Sequence, residues 1–304
     1  MKSLFEYILE KQSINFGKSN PDYGQCIILA GGPGSGKGYV KNNRVLSNFK
    51  SIDVDDLKKK YIKMVEKGKI KDDKTYNLKN PKDVSELHMK VKERGWKNKQ
   101  RELFWKQRAA DKDNGNLPNV LWDMVSGDIK DIDDIIEYAK PIGYNITLIW
   151  VCCNIDTARE ANQFRDRTVS DEVITKGHAE AYDTLISLLQ NKYPETNAGL
   201  DNVWVAFTAG YKRMLVDEYK KTPIMKVKKD ENGNFIFDNN DKELIDNFLE
   251  DQMPLNPNFD KEQEAERERK KKLLPSKLKE SLNETEYIDC LDCLEYMIQN
   301  EILN

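Results

Sequence analysis

Residues 25–40 read QCIILAGGPGSGKGYV and decide the fold class of this chain. The apolar run 26–30 predicts a short buried strand, which ends in a glycine-rich loop that leads into helical sequence. The loop matches the phosphate-binding pattern G-x-x-x-x-G-K-[ST] at Gly31, Gly36 and Lys37. A glycine-rich turn without a ligand is the alternative, but the preceding strand favours a phosphate loop. The predicted nucleotide-binding residues are Gly32, Pro33, Gly34, Ser35, Gly36, Lys37 and Gly38.

The glycines and the lysine of this loop suit an anion for separate physical reasons. Glycine lets backbone N–H groups wrap a phosphate at dihedral angles and distances that a Cβ atom would block. The helix that follows turns its positive end toward the anion. Lys37 reaches the outer phosphates as a point charge, and we expect it to act in catalysis.

The last position of the pattern departs from the usual residue. A Ser or Thr hydroxyl normally binds Mg²⁺ there, and Gly38 has no side chain. We therefore expect the metal to be held through water or by carboxylates elsewhere in the chain. The alternative is a loop that does not use a metal in the usual way.

The composition sets limits on the class of protein. The chain has 304 residues, 49 Lys and Arg against 52 Asp and Glu, and a net charge of −3. This balance favours neither a nucleic acid nor a membrane as partner, and no apolar run approaches the ~20 residues of a membrane-spanning helix. The five cysteines include the adjacent pair Cys152 and Cys153, which is poor disulfide scaffolding and indicates a reduced, cytoplasmic setting.

Predicted strands alternate with predicted helices along most of the chain. This alternation predicts a three-layer α/β fold with about five parallel strands, followed by a mainly helical C-terminal appendage. The strands are expected at 26–30, 51–58, 119–123, 145–152 and 202–207. The helices are expected at 39–47, 57–69, 81–106, 131–139, 157–167 and 170–190.

Changes in composition divide the chain into four predicted segments. Residues 1–22 form an amphipathic arm, and residues 23–210 form the α/β core. Residues 211–260 form an appendage with a hairpin, in which Asn232 and Gly233 make the turn, and a short helix at 244–249. Residues 261–304 form a charged helical tail.

Two acids stand at predicted strand ends, where ligands gather in open α/β sheets. Asp55 lies at the C-terminal end of the second strand, where a carboxylate can accept the proton of a substrate hydroxyl. The alternative is a helix cap formed by Asp55 or Asp56. Asp123 ends the third strand, which is the position where phosphate-loop proteins carry the acid that orders Mg²⁺. The alternative for Asp123 is an ordinary turn acid.

Three arginines follow the fourth strand. We expect at least one of Arg159, Arg165 and Arg167 to neutralise phosphate charge during a transfer reaction, as a catalytic group on a lid. The alternative is surface pairing with Glu160, Asp166 and Asp171.

These motifs together resemble those of the zeta-toxin-like P-loop kinases over residues 24–210. The family pattern I-D-x-D-x-[FL]-[KR] matches residues 52–58, and Asp55 falls on its catalytic Asp. Asp123 falls where the family has Glu before Gly-Thr, whereas Met124 and Val125 follow here. Arg159 and Arg167 fall near the two arginines that clamp phosphates. The loop also resembles that of adenylate-kinase-like nucleoside monophosphate kinases, with Tyr39 in the place of a Thr.

The resemblance implies a P-loop kinase that uses ATP and Mg²⁺. The acceptor would be a hydroxyl of a small molecule such as a nucleotide or nucleotide-sugar; in the toxins it is a UDP-amino-sugar. A polynucleotide or modified-base kinase is the alternative. In that case the basic segment 81–108 would bind the nucleic-acid strand, and Trp96 or Trp105 would stack on its bases. Core packing is the favoured interpretation of both tryptophans.

A third hypothesis is a nucleotide-binding virion or structural module without enzymatic activity. The first ten residues, MKSLFEYILE, resemble the capsid-targeting peptides of large tailed phages, which are cleaved after a Glu. On this hypothesis the protein is phage-encoded and associates with the capsid through its N-terminal arm. His88 and His178 are interpreted as structural, because they lie far apart without metal-ligand spacing. Cys290 and Cys293 are also interpreted as structural, because one C-x-x-C without a second pair or a His is a poor zinc site.

Overall fold

The computed structural model of the protein describes residues 24–43, 49–52, 54–113, 117–165, 168–210, 212–221, 223–258 and 261. The predicted N-terminal arm, with its targeting peptide, lies outside these residues. So does the predicted tail 261–304, apart from Lys261, and with it Cys290 and Cys293.

A seven-stranded sheet forms the middle layer of the protein. Its strands are β1 (Gln25–Ala30), β2 (Lys50–Ile52), β3 (Val120–Asp123), β4 (Asn145–Cys152), β5 (Asn202–Phe207), β6 (Ile224–Lys229) and β7 (Phe235–Ile236). The spatial order is β2-β3-β1-β4-β5-β6-β7. The first five strands pair in parallel, and β6 and β7 are antiparallel additions at one edge. The predicted parallel α/β fold is confirmed.

The register of the central strands brings two predicted site segments together. Every residue of β1 is buried, which accounts for its continuous apolar sequence. In β1, Leu29 pairs with Asp123 of β3, and Ala30 pairs with Trp150 of β4. The loop after β1 therefore begins beside Asp123, at the edge of the sheet where parallel strands end.

Ten helices are present in the described residues. They are α1 (Lys37–Asn43), α2 (Val54–Glu66), α3 (Pro81–Glu93), α4 (Trp96–Asp113), α5 (Ile129–Ile142), α6 (Ile155–Gln163), α7 (Asp171–Leu189), α8 (Pro194–Gly199), α9 (Asp217–Lys220) and α10 (Asn239–Glu250). Residues of α4, α5 and α7 pack with Ile28 and Trp122 in the larger core. Val40 of α1 packs with Ile27 and Leu29 in a separate core on the other face. No described helix has the length and apolarity needed to cross a membrane.

Helices α2, α3 and α4 form an insertion between β2 and β3 with a core of its own. That core contains Leu57, Tyr61, Leu87 and Trp96. The helix predicted at 81–106 is in fact two helices, because Gly95 between them has a left-handed backbone with φ of 64°. The second of these helices, α4, continues to Asp113, beyond the predicted end at 106.

Both tryptophans considered for base stacking are buried in the protein. Trp96 is 1% exposed and Trp105 is 2% exposed. Trp105 stacks on Trp122, with ring centroids 5.6 Å apart. The core interpretation is therefore confirmed, and neither ring is accessible to a base.

The described part of residues 211–260 completes the main core. Phe248 of α10 lies 4.8 Å from Phe207 of β5 and 5.0 Å from Tyr219, measured between ring centroids. The predicted hairpin is present, and Gly233 makes its turn with φ of 85°. Helix α10 begins earlier than predicted, because Asp238 and Asp241 form a capping box.

Candidate active site

The glycine-rich loop joins β1 to α1, as the sequence predicted. Gly31, Gly34 and Gly36 have positive φ angles of 145°, 81° and 92°. A Cβ on Gly34 would lie 2.5 Å from the carbonyl oxygen of Ala158, and one on Gly31 would lie 2.7 Å from that of Val151. Both the dihedral angles and the close approach therefore require glycine.

Lys37 places a positive charge over the loop. It is the first residue of α1, and its Nζ donates to the carbonyl oxygens of Gly31 at 2.7 Å and Gly32 at 3.2 Å. The same Nζ lies 3.7 Å from Oδ1 of Asp123. The loop, the lysine and the strand-end acid thus converge, although they come from segments about ninety residues apart.

Asp123 is the carboxylate that the structure places beside Lys37 of this loop. Its side chain is 30% exposed, so it is open to ligands and water. No group of three or more His, Cys, Asp or Glu that could hold a metal occurs among the described residues. This donor set fits Mg²⁺, which keeps several waters and uses one or two carboxylates together with substrate phosphates.

Asp55 does not stand at a strand end, which corrects the prediction. Strand β2 ends at Ile52, and α2 begins at Val54, so Asp55 lies in the first turn of this helix. Ile52 pairs with Trp122, next to Asp123, and α2 therefore begins at the same edge of the sheet as the loop. The side chain of Asp55 is outside the description, and its role as a base remains a prediction.

Arg159 belongs to a network of ion pairs beside the loop. Its guanidinium donates to Asp171 from Nε at 2.5 Å and from Nη2 at 3.1 Å, to Asp156 at 2.8 Å and to Thr175 at 3.2 Å. The hydrogen bonds to Asp171 and Asp156 raise the pKa of Arg159, and the bond to Arg159 lowers the pKa of Asp171. The predicted alternative, pairing with Asp171, is present. Ala158, the preceding residue, packs on Gly34, so Arg159 is nevertheless close to the loop.

The other two arginines are placed less fully. Arg165 follows α6 and is partly exposed. Glu160, one of the three acids predicted to pair with these arginines, binds Arg213 at 2.6 Å instead. Arg167 lies outside the described residues. Thr168 follows it and donates from its hydroxyl to the carbonyl of Lys79 at 2.6 Å, which joins this segment to the helical insertion.

His178 lies against the loop, and the sequence motifs did not predict this contact. Its Nε2 is 3.0 Å from the carbonyl oxygen of Pro33. Burial, followed by the charges of Lys37 and Arg159, lowers its pKa, and the Pro33 hydrogen bond opposes the shift. The contact spans 145 positions of the chain, so no local pattern could have revealed it.

A cavity of about 530 Å³ adjoins the loop at Pro33, between α7 and the segment that follows β3. Its lining includes Gly127, Asp128, Glu180, Thr184 and Tyr193. Ser126, next to the lining, is a buried non-glycine residue with φ of 58°, a strained backbone conformation that clusters at functional sites. The cavity has the volume of a small-molecule site.

The strand order β2-β3-β1-β4-β5 with a glycine loop after β1 defines a P-loop kinase-type fold. No family model and no curated protein matches the chain. Solved structures resemble the chain only at low sequence identity and low TM-score.

Three solved structures illustrate this similarity. A structure of the AvrRxo1-ORF1:AvrRxo1-ORF2 complex with sulphate ions has a TM-score of 0.45 and 13% identity, covering 82% of this chain and 68% of that one. The same complex with ATP has a TM-score of 0.43 and 13% identity, with coverage of 82% and 68%. The PezAT chromosomal toxin-antitoxin system of Streptococcus pneumoniae has a TM-score of 0.42 and 10% identity, with coverage of 83% and 87%. At these values no activity or partner is carried over to this chain.

Proposed function

We propose that the protein is an ATP-dependent phosphotransferase that moves the γ-phosphate of ATP to a hydroxyl of a small acceptor, such as a nucleotide or nucleotide-sugar. The observation that carries the proposal is the position of Lys37. Its ammonium is held on two loop carbonyls and lies 3.7 Å from Asp123. This arrangement combines an anion cradle, a cation and a metal-type carboxylate, which phosphoryl transfer requires.

Each residue has a defined task in the proposed reaction. Backbone N–H groups of the loop hold the phosphates, and Lys37 neutralises charge on the outer ones. Asp123 would hold hydrated Mg²⁺, which would supply neutralisation of the phosphate charge. Arg159 supplies a further positive charge beside the loop.

The transfer itself forms one bond and breaks one bond. The acceptor oxygen bonds to the γ-phosphorus, the bond from that phosphorus to the bridging oxygen breaks, and ADP leaves. The hydroxyl proton passes to the carboxylate of Asp55, the candidate base. The acceptor would occupy the 530 Å³ cavity, because this space begins at Pro33 of the loop.

The proposal is tested with labelled ATP and a panel of hydroxyl-bearing metabolites. We expect Lys37→Ala to weaken ATP binding and transfer together. We expect Asp55→Asn to lower the transfer rate by ~10²–10⁴ while ATP still binds, because a general base contributes about this factor. Lys67→Ala, which changes an exposed lysine in the turn after α2, is the matched control.

The outcomes separate the hypotheses. Equal transfer by the wild type, Lys37→Ala and Asp55→Asn would contradict the assignment of the site. Tight ATP binding without transfer to any acceptor would favour a nucleotide-binding module instead. Salt-sensitive binding of DNA or RNA would favour the polynucleotide kinase, although Trp96 and Trp105 are too buried to stack on bases.

A further inference from the structure

Helix α7 touches the phosphate loop at two successive residues. A Cβ on Gly177 would lie 2.8 Å from Cδ of Pro33, so the helix backbone approaches the loop closely. The imidazole of His178 fills the space beside Gly32, where a Cβ would lie 2.2 Å from Cδ2 of the ring. With the 3.0 Å hydrogen bond to Pro33, the contact combines shape and polarity.

The direction of this hydrogen bond follows from the chemistry of its partner. A carbonyl oxygen only accepts, so Nε2 of His178 carries the hydrogen. Burial, together with the neighbouring cations Lys37 and Arg159, lowers the pKa of the ring and so favours its neutral form. Since the peptide group is planar and trans, a donor on the Pro33 oxygen also directs the Gly34 N–H away from the imidazole.

Residues near the beginning of the same helix bind Arg159, which belongs to α6. Asp171 and Thr175 accept from the Arg159 guanidinium, and His178 lies one turn after Thr175. Helix α7 runs without interruption from Asp171 to Leu189. One rigid element therefore contacts both the phosphate loop and the cation beside it.

We infer that His178 is a positioning residue for the phosphate loop. Its Nε2–H holds the Pro33–Gly34 peptide in the orientation that receives a phosphate, and its ring holds Gly32 in place. Helix α7 then keeps the loop and Arg159 in one fixed relation. The inference rests on the proposed function, in which this loop binds ATP.

Two variants of His178 separate the hydrogen bond from the packing. His178→Phe keeps a ring but removes the donor, and His178→Gln keeps an N–H donor. We expect His178→Phe to weaken ATP binding in calorimetry by roughly three- to tenfold, the range of one hydrogen bond. We expect His178→Gln to stay within about twofold of the wild type, and KM for ATP to change more than kcat. Equal affinities for His178→Phe and wild type would overturn the inference.

A second pair of variants tests the packing. Gly32→Ala places a methyl group against the His178 ring, and we expect ATP binding to fall. His178→Ala removes the ring, so the double variant should bind ATP better than Gly32→Ala alone. The same loss in the single and the double variant would overturn the inference.

The two proposals fail in different ways. If Lys37→Ala loses ATP binding while the His178 variants behave as wild type, the role of His178 is wrong and the proposed function stands. If the wild type binds no ATP, the proposed function is wrong, and this inference falls with it.

Discussion

Gly38 occupies the second position of α1, where phosphate loops usually carry a hydroxyl. A Cβ built on this residue meets no atom within 4 Å, and its φ is not positive. The backbone and the surrounding space therefore accept a side chain, and the absence of the hydroxyl is not enforced by packing. The metal chemistry of the loop can therefore be tested by adding a hydroxyl at this position rather than by removing one.

Replacing Gly38 with Ser should strengthen the use of Mg²⁺. The new hydroxyl stands where the pattern has its metal ligand, so the Mg²⁺ concentration for half-maximal ATP binding should fall several-fold. Gly38→Ala adds the Cβ without the oxygen and should leave that concentration unchanged. Gly38→Ala should also stabilise the protein, by at most about 0.5–1 kcal/mol, because glycine weakens a helix relative to alanine. If this Mg²⁺ concentration fell equally in Gly38→Ser and Gly38→Ala, the prediction would be contradicted.

His178 should make stability depend on pH. Its folded-state pKa is lowered below the ordinary value of 6.5, so the unfolded chain binds more protons near and below that pH. Stability is therefore complete above about pH 6.5 and falls as the pH drops from there toward the lowered pKa. The loss should be smaller in His178→Gln. Urea unfolding of both proteins at pH 7.5 and 5.5 measures the difference, and identical losses would contradict the assignment.

The sequence predicted the position in the fold of those candidate residues that local patterns define. Lys37 and Asp123 were placed correctly, because a loop motif and a strand end are each short. Asp55 was misplaced, because the alternation in IDVDD suggests a strand, whereas Leu57, Tyr61 and Met64 have the spacing of the buried face of α2. His178 was missed, because its contact depends on how α7 packs on the loop.

Among the elements, the helical insertion depends on a cluster around Asp72. Tyr61 of α2 and Tyr76 of the following link both donate to Oδ2 of Asp72 at 2.7 Å. These two hydrogen bonds lower the pKa of Asp72, since they favour its charged form. Asp72 thereby fastens the link between α2 and α3 to the core of the insertion.

Removing Asp72 should loosen the insertion. In Asp72→Ala the two tyrosine hydroxyls lose their acceptor, and the free energy of unfolding should fall by about 1–3 kcal/mol. Asp72→Asn retains a carbonyl acceptor and should lose less. Chemical denaturation measures both values. An equal loss in the two variants would show that the hydroxyl contacts contribute little.

Helix boundaries were predictable where a side chain caps the helix. They were less predictable where only the backbone conformation of a residue interrupts it. Ser170 was expected to start α7, and it is the N-cap of that helix. The break at Gly95 was not expected, because the apolar spacing continues across it and a glycine inside a helical pattern is ambiguous. The short helices α8 and α9 have too few residues for a periodic signal.

At the scale of the whole molecule, residues 212–258 share one core with the parallel sheet. Phe248, Val227 and Phe235 belong to the same cluster as Cys26 and Trp122. Asn154, which caps α6 beside the phosphate loop, donates to the carbonyl of Leu249 at 2.7 Å. Alternation of strands and helices predicted the parallel sheet, but this long-range packing leaves no local pattern.

Truncating Phe248 should therefore destabilise the entire protein. Phe248 is fully buried, and Phe248→Ala should lower the free energy of unfolding by about 3–5 kcal/mol. Ile236→Ala, which alters a residue of β7 that is 54% exposed, should change it by less than about 0.5 kcal/mol. Tryptophan fluorescence and loss of ATP binding should follow one transition. Unfolding of α10 while ATP still binds would contradict a shared core.

The strands at the two margins of the described sheet are its shortest. Strand β2 has three residues and β7 has two, while β4 at the centre has eight. Next to β7, strand β6 exposes Lys226 and Lys228. Short edge strands offer few unpaired backbone groups to another polypeptide, and the charges of exposed lysines disfavour its approach. Both features discourage strand addition and aggregation. We therefore expect this seven-stranded sheet to resist polymerising through its edges.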